Sequence, residues 1–249
     1  MSLHRNRVEK MPTEQILKGS ERLFISNPEL GVDKDWFSMA AWKAQNAIEG
    51  TAAGRGTVWF IKTEQGQYVL RRYRRGGLIA KLTQFNFLFR GFKNTRPYQE
   101  LKLLEFMREQ GLPVPEPIAG HCQRIGVQYQ AEIITKLIPD AKELFTCLLD
   151  QEQTSAANLN WYEIGKTIKR LHDAGVNHTD LNCHNIMIDL AQKVWIIDFD
   201  KCHQASIAKD WQEANLLRLK RSFEKEASKH PNFQFKQANW QTLLEGYHG

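Results

Sequence analysis

The sequence predicts an α+β fold in two lobes, a mainly β first lobe over residues 1–135 and a small, mainly α second lobe over residues 136–249. Paired β-rich runs separated by turn residues crowd into the first part: Val58–Ile61 with Tyr68–Leu70, and Ile118–Gln123 with Val127–Ile134. Apolar residues at helical spacing, closed by glycine, dominate the second part. A chain of 249 residues that is 42% hydrophobic and 25% charged has ample material for a core, which excludes wholesale disorder.

Residues 1–35 are polar and broken by Pro12, Pro28 and Gly31, and read as an irregular arm. Asp35 is a candidate N-cap for a helix reaching Ile48 that carries Trp36, Met39 and Trp42. A glycine-rich loop, GTAAGRG from Gly50 to Gly56, leads into the first hairpin, which turns at Glu64–Gly66. Pro97 near the first turn and Gly111 past the end mark a helix over 97–110. Leu103, Leu104 and Met107 share one face of it, and Glu100 falls on that face, where a carboxylate needs a partner or access to water. GLPVPEP is too proline-rich for regular structure. Arg124–Gly126 turns the second strand pair, and TKLIPDA is a linker between the lobes. Beyond it, Trp161, Ile164, Ile168 and Leu171 make an amphipathic helix over 159–174, stopped by Gly175. A polar loop, a short strand, a turn at Ala191–Lys193 and a strand ending in acids follow. The remainder is helical, over Lys209–Lys225 and around Trp240–Tyr247.

With 34 Lys+Arg against 28 Asp+Glu the net charge is only +6, but it is unevenly placed. From Arg71 to Arg96 stand Arg71, Arg72, Arg74, Arg75, Lys81, Arg90, Lys93 and Arg96, with no acidic residue among them. This one segment exceeds the net charge of the whole chain. Tyr73, Leu78, Ile79, Phe85, Phe87, Phe89 and Phe92 are interleaved. Three physical readings are open: apolar and cationic groups at an anionic membrane surface, phosphate contacts and base stacking on nucleic acid, or a solvated basic face whose phenylalanines are core. No apolar run approaches 18 residues, which excludes a transmembrane helix. The N-terminus lacks the apolar stretch of a secretory signal, so a cytosolic-side protein is expected. The four cysteines form neither a CxxC pair nor a disulfide framework, and His121-Cys122, Cys183-His184 and Cys202-His203 lack the spacing of a zinc finger.

The most specific signal is His178-Thr179-Asp180, then Asn185, then an apolar strand running into Asp198-Phe199-Asp200. Phosphoryl transfer needs a carboxylate to orient an acceptor hydroxyl and take its proton. It also needs oxygen ligands such as Asp and Asn to hold Mg²⁺ on the phosphates. A hairpin between Asn185 and Asp198 brings both beside one metal site.

On these residues the chain resembles the protein-kinase-like superfamily, and the element order agrees: glycine-rich hairpin, basic third-strand residue, helix with Glu, two strands, linker, helical half and catalytic loop. The resemblance implies ATP and Mg²⁺ as cofactors, with Asp180 as catalytic base, Asn185 and Asp198 as metal ligands, and Asp200 available beside them. It gives His178 a loop-orienting role, and ATP contacts to Gly50, Gly54, Gly56, Val58, Arg71 and Glu100, with adenine against Ile133–Leu137. The chain also departs from that pattern. Thr51 and Ala53 replace the first two glycines of the phosphate loop. Arg71 stands at the lysine position of VAIK, and Arg72 is the alternative one residue on, which strand alternation sends to the opposite face. Thr179 replaces the Arg of HRD, Asp200 replaces the Gly of DFG, and no APE follows. These losses suit a compact kinase for a non-protein substrate.

YVLRRYRRGGLIAKLT, RPYQELKLLEFMREQGLPVPEPIAG and HTDLNCHNIMID narrow the resemblance to the lipopolysaccharide kinase family. That resemblance implies ATP-dependent phosphorylation of a hydroxyl, the 4-hydroxyl, of a 3-deoxy-D-manno-octulosonic acid (Kdo) residue on a Kdo–lipid A precursor. It implies a peripheral protein at the cytoplasmic face of the inner membrane, with Arg74, Arg75 and Lys81 on the anionic acceptor or membrane, Leu78, Ile79 and the phenylalanines among acyl chains, and no nucleic-acid partner. The alternatives are a kinase for a core heptose or another small sugar, and a catalytically inactive nucleotide- or nucleic-acid-binding protein.

Overall fold

Strand β1 (Thr13–Lys18) and strand β2 (Glu21–Ile25) form an antiparallel hairpin at the start of the first sheet. Residues 11–25 are therefore not the irregular arm the prolines suggest. Leu23 and Phe24 are both fully buried, so β2 is covered on both faces. The structure is a computed structural model that describes residues 11–53, 57–74, 85–150 and 159–249. The expected helix from Asp35 to Ile48 is also broken up. Asp33 caps a 3₁₀ turn over Lys34–Phe37, and Ser38, whose Oγ accepts from the Ala41 N–H at 3.3 Å, caps the short helix α1 (Met39–Ala44). By Ile48 the chain is already a strand.

That strand, β3 (Ile48–Ala53), occupies the first part of the expected glycine-rich loop. It pairs with β4 (Thr57–Thr63), which pairs with β5 (Gly66–Arg72). A two-residue strand β6 (Phe87–Leu88) precedes helix α2 (Arg96–Glu109), and β7 (Pro117–Ile125) and β8 (Gln128–Lys136) follow. The sheet runs in the order β1-β2-β7-β8-β5-β4-β3, antiparallel throughout, with β6 also on β8. One layer of its core joins Trp42 and Ala47 to Ile61, Tyr68, Leu70, Ile118 and Ile134. Helix α2 packs on β7 at Gly120, where a Cβ would come within 2.7 Å of the Pro97 Cβ. It is buried on more than one side: Tyr98, Leu101, Leu103, Leu104 and Met107 are core, and so are the side chains of Glu100 and Glu105.

The rest comprises β9 (Lys142–Glu143), α3 (Leu144–Leu149), α4 (Trp161–Asp173), β10 (Val176–Asn177), β11 (Ile186–Ile188), β12 (Val194–Ile196), β13 (His203–Gln204), α5 (Lys209–Lys229) and α6 (Gln237–His248). Strands β12-β11-β9 make one small sheet and β10-β13 another. Helices α4 and α6 meet at two glycines. A Cβ on Gly165 would lie 1.9 Å from the Leu243 carbonyl oxygen, and one on Gly246 would lie 2.0 Å from that of Tyr162. Gly175, at φ +72°, ends the α4 region with a conformation that disfavours other residues.

The chain divides into two compact units, Met1–Phe106 with Glu116–Leu137, and Met107–Pro115 with Ile138–Gly249. The division at 137/138 lies two residues beyond the boundary read from the linker. Residues 107–115 go with the second unit because Ile196 N–H donates to the Pro113 carbonyl at 3.0 Å and Arg170 Nη2 to that of Gly111 at 2.8 Å.

Candidate active site

In the first unit, strand alternation sends Arg71 and Arg72 to opposite faces, and each finds its own acid. Arg71 Nη2 lies 2.6 and 2.7 Å from the two carboxylate oxygens of Glu100 on α2. Tyr73, two residues further along, donates its hydroxyl proton to Glu100 Oε2 at 2.7 Å, and its ring lies 4.9 Å from the Arg71 guanidinium carbon. Glu100 thus has charged and neutral donors for a carboxylate that would otherwise be costly to bury. Arg72 instead donates to Gln130 at 2.7 Å and sits 3.4 Å from Glu132. Val58 is the cross-strand partner of Arg71, and Gly50 pairs with Phe60. Gly54 and Gly56 lie outside the described residues, as do Arg75 and Lys81; Arg74 is exposed.

The phenylalanines of the basic segment do not form the exposed apolar face expected of them. Phe87 is core against Tyr129, and Phe89 and Phe92 pack on one another at 4.9 Å. Arginines cover the rings: Arg72 over Phe85 at 4.4 Å, Arg96 over Phe87 at 4.2 Å, Arg124 over Phe89 at 4.8 Å and Arg22 over Phe92 at 4.2 Å.

In the second unit, the polar loop is tied together through its backbone. Asn185 Nδ2 donates to the Asp180 carbonyl at 2.9 Å, and the Ile197 N–H donates to the Asn185 carbonyl at 3.0 Å. His178, fully buried, donates Nε2–H to the Ile197 carbonyl at 3.0 Å and packs on Phe199. Its Nδ1 has no hydrogen-bond partner among the described residues, and burial holds its pKa below the usual histidine value, so the ring is neutral. Residues 178, 180, 185 and 197 are thereby joined around one turn. The strand itself stops at Ile196, and Asp198 follows at φ +62°, a left-handed conformation rare outside glycine. The acids therefore sit on a turn and not on the strand end. Asp180 is about half exposed, with Arg218 Nη1 at 4.0 Å.

Sequence reasoning missed the element that holds this loop. Helix α5 presents Asn215 and Ser222, seven residues apart and on one face, to its two sides. Asn215 Oδ1 accepts from the His178 N–H at 3.0 Å, while its Nδ2 donates to Asn177 and to the Trp211 carbonyl. Ser222 Oγ accepts from the Cys183 N–H at 3.0 Å and donates to the Leu219 carbonyl at 2.7 Å. The nearest sequence signal is a pair of small polar residues on an otherwise amphipathic helix, which reads as solvent face.

The donor set suits a hard cation. With its Nδ2 donating to the Asp180 carbonyl, the Asn185 amide would turn its oxygen to a cation and Asp198 would add a carboxylate; both are oxygen donors of the kind Mg²⁺ takes. Burial pushes the Cys122 thiol up to about 12 and that of Cys183 to about 11, far from the thiolate a nucleophile requires.

The model of the lipopolysaccharide kinase (Kdo/WaaP) family matches residues 39–247. The chain is 48% identical over 188 residues to the 3-deoxy-D-manno-octulosonic acid kinase of Vibrio cholerae serotype O1, covering 76% of this chain and 78% of that protein. It is 44% identical over 234 residues to the protein of the same description from Photobacterium damsela subsp. piscicida, covering 93% and 95%. Among solved structures, spectinomycin phosphotransferase in complex with ADP and spectinomycin aligns with a TM-score of 0.49 at 13% identity, over 81% of this chain and 73% of that one. With the family match spanning both units and relatives this similar over most of their length, the chain belongs to the lipopolysaccharide kinase (Kdo/WaaP) family.

Proposed function

We propose that this chain transfers the γ-phosphoryl group of ATP to the 4-hydroxyl of a Kdo residue on a lipid A precursor, as a peripheral protein at the cytoplasmic face of the inner membrane. The observation that carries the reaction class is the hydrogen-bonded turn that joins Asp180, Asn185 and Ile197, next to Asp198. The relatives described as Kdo kinases support Kdo as the acceptor sugar.

In the second unit, the half-exposed Asp180 carboxylate accepts a hydrogen bond from the acceptor hydroxyl and aims its oxygen at the γ-phosphorus. The new P–O bond forms as the bond to ADP breaks, and the hydroxyl proton passes to Asp180. Asn185 and Asp198 would hold Mg²⁺, with Asp200 beside them, and the ion, when bound, neutralises charge on the phosphates. His178, neutral and buried, keeps the loop backbone in place.

In the first unit, Arg71 contacts the ATP phosphates, its guanidinium oriented by Glu100 and Tyr73. Gly50, Gly54, Gly56 and Val58 contact the nucleotide, and residues 133–137 meet the adenine. Arg74, Arg75 and Lys81 contact the anionic acceptor.

Incubation with ATP, Mg²⁺ and a Kdo–lipid A precursor should add the mass of one phosphate to the Kdo residue, with NMR placing it on the 4-hydroxyl. Asp180→Asn should lower turnover by about 10²–10⁴-fold while the protein stays folded. Substantial activity in that variant would remove the base role, and preference for a heptose acceptor would replace the substrate.

A further inference from the structure

Three of the nine large apolar side chains most exposed among the described residues meet at one end of the first sheet: Leu88 at 54%, Ile125 at 52% and Val127 at 72%. Single exposed apolar residues are ordinary on a soluble surface, but their convergence is not. Alternation along β6 turns Phe87 inward and Leu88 outward. Leu88 is the cross-strand partner of Gln128, and Gln128 that of Ile125, so Leu88 and Ile125 project from the same face on either side of Gln128. Val127 stands at the adjoining turn, its carbonyl accepting the Phe89 N–H at 2.9 Å.

The surroundings are cationic. Arg90, Lys93 and Arg124 are exposed, and Arg124 is fixed over Phe89 with its Nε–H donating to the Gly126 carbonyl at 2.8 Å. Residues 85–99 and 117–131, which build this end of the sheet, contain no Asp or Glu. The acid that reaches Arg22 is Glu14, at 2.9 Å.

We propose that this sheet end, formed by β6 and the β7–β8 turn, docks on an anionic lipid bilayer. Leu88, Ile125 and Val127 enter the headgroup–acyl boundary while Arg90, Lys93 and Arg124 meet lipid phosphates. The chemistry discriminates between partners. Nucleic acid stacks on exposed aromatic faces, whereas the rings here are core or covered by arginines, and the exposed apolar groups are aliphatic. A protein surface of mixed charge offers less to cations carried on acid-free segments than a continuous layer of phosphates does. The inference deepens the membrane part of the proposed function, and its test is kept separate from the acceptor chemistry.

The full chain is sedimented with vesicles of phosphatidylglycerol mixed with phosphatidylethanolamine, and with vesicles of phosphatidylcholine alone. The wild type should prefer the anionic vesicles. The triple variant Leu88→Gln/Ile125→Gln/Val127→Gln should bind them about tenfold or more weakly. Arg90→Gln/Lys93→Gln should lose roughly fivefold per cation, an effect that salt diminishes. Both variants should phosphorylate a water-soluble, deacylated Kdo acceptor as fast as the wild type. Unchanged vesicle binding by the triple variant, or no preference of the wild type for phosphatidylglycerol, overturns the proposal. So does a shift of the triple variant from dimer to monomer in light scattering, which would assign the patch to a second copy of the chain. If the wild type binds as expected but ignores the soluble acceptor, the docking surface stands and the acceptor assignment falls.

Discussion

Arg71 and Asp180 are held in place by opposite means. Around Arg71 the first unit uses side-chain charge: Glu100 takes the guanidinium and the Tyr73 hydroxyl together. Nearby, His121 lies between the carboxylates of Glu21 and Glu132, each at 2.9 Å, with Lys34 on Glu21 and Arg72 on Glu132. Around Asp180 the second unit holds the loop through neutral groups and backbone, with Arg218 4.0 Å from the carboxylate itself. Asn185, His178, Asn215 and Ser222 all bond to main-chain atoms of the loop or its neighbours. Charge positions a side chain that must itself remain a cation. Backbone bonds leave the Asp180 carboxylate half exposed for chemistry while fixing everything beneath it.

The contrast is broken most severely at the glycines. Gly165→Ala or Gly246→Ala drives a methyl into a carbonyl oxygen on the facing helix, with no flexible side chain to give way. Either change should cost about 3 kcal/mol or more of stability, read from denaturant unfolding. Gly50→Ala in the first unit, where the new Cβ would sit 3.7 Å from Phe60, should stay within about 1 kcal/mol. Equal losses at the two places would dissolve the distinction.

Asn215→Ala sharpens it at the site. Asn215 is a positioning residue, so its loss should lower kcat by about 10²-fold while the KM for ATP changes little. The buried His178 N–H left without its acceptor should add about 1–3 kcal/mol of instability. A rise in KM for ATP with kcat intact would show that α5 does not set the loop geometry.

The smallest effect is a difference in pH dependence. Two carboxylates outweigh burial at His121 and raise its pKa above 6.5. The folded first unit therefore binds a proton the unfolded chain has lost, and its stability falls as pH rises from 6.5 through the raised value. In the second unit burial lowers the pKa of His178 and takes His172 to about 4, so stability there falls as pH drops from 6.5 toward 4. Each group contributes about 1.4 kcal/mol per pH unit within its window. Hydrogen exchange of β7 and β8 amides against α4 amides, at pH 5, 7 and 9, should show opposite trends.

What could be read in advance follows the range of the interaction. The Arg71–Glu100 contact follows from the resemblance to the protein-kinase-like superfamily, with alternation along β5 separating Arg71 from Arg72 and the 3–4 spacing of α2 putting Glu100 on its apolar face. That Asp180, Asn185 and the chain entering Asp198 come to one turn was legible because their spacing is local. The β1–β2 hairpin was not: Leu23 and Phe24 are consecutive and both buried, so the strand shows no alternation to read. Asp35 and Ser38 are both good capping residues, and composition alone does not choose between them. Asn215 and Ser222 act on residues 37 and 39 positions away, a distance over which small polar side chains carry no periodic signature.

All four cysteines of the chain are reduced and buried, Cys122 in the first unit and Cys147, Cys183 and Cys202 in the second. Burial raises the pKa of three of them, Cys122, Cys147 and Cys183, so the folded protein presents these to alkylating reagents as slow, protonated thiols. The chain therefore carries its own set of opening reporters, one in the sheet of the first unit and three in the second unit. Mass spectrometry of labelled peptides can time the breathing of each unit without a single engineered probe.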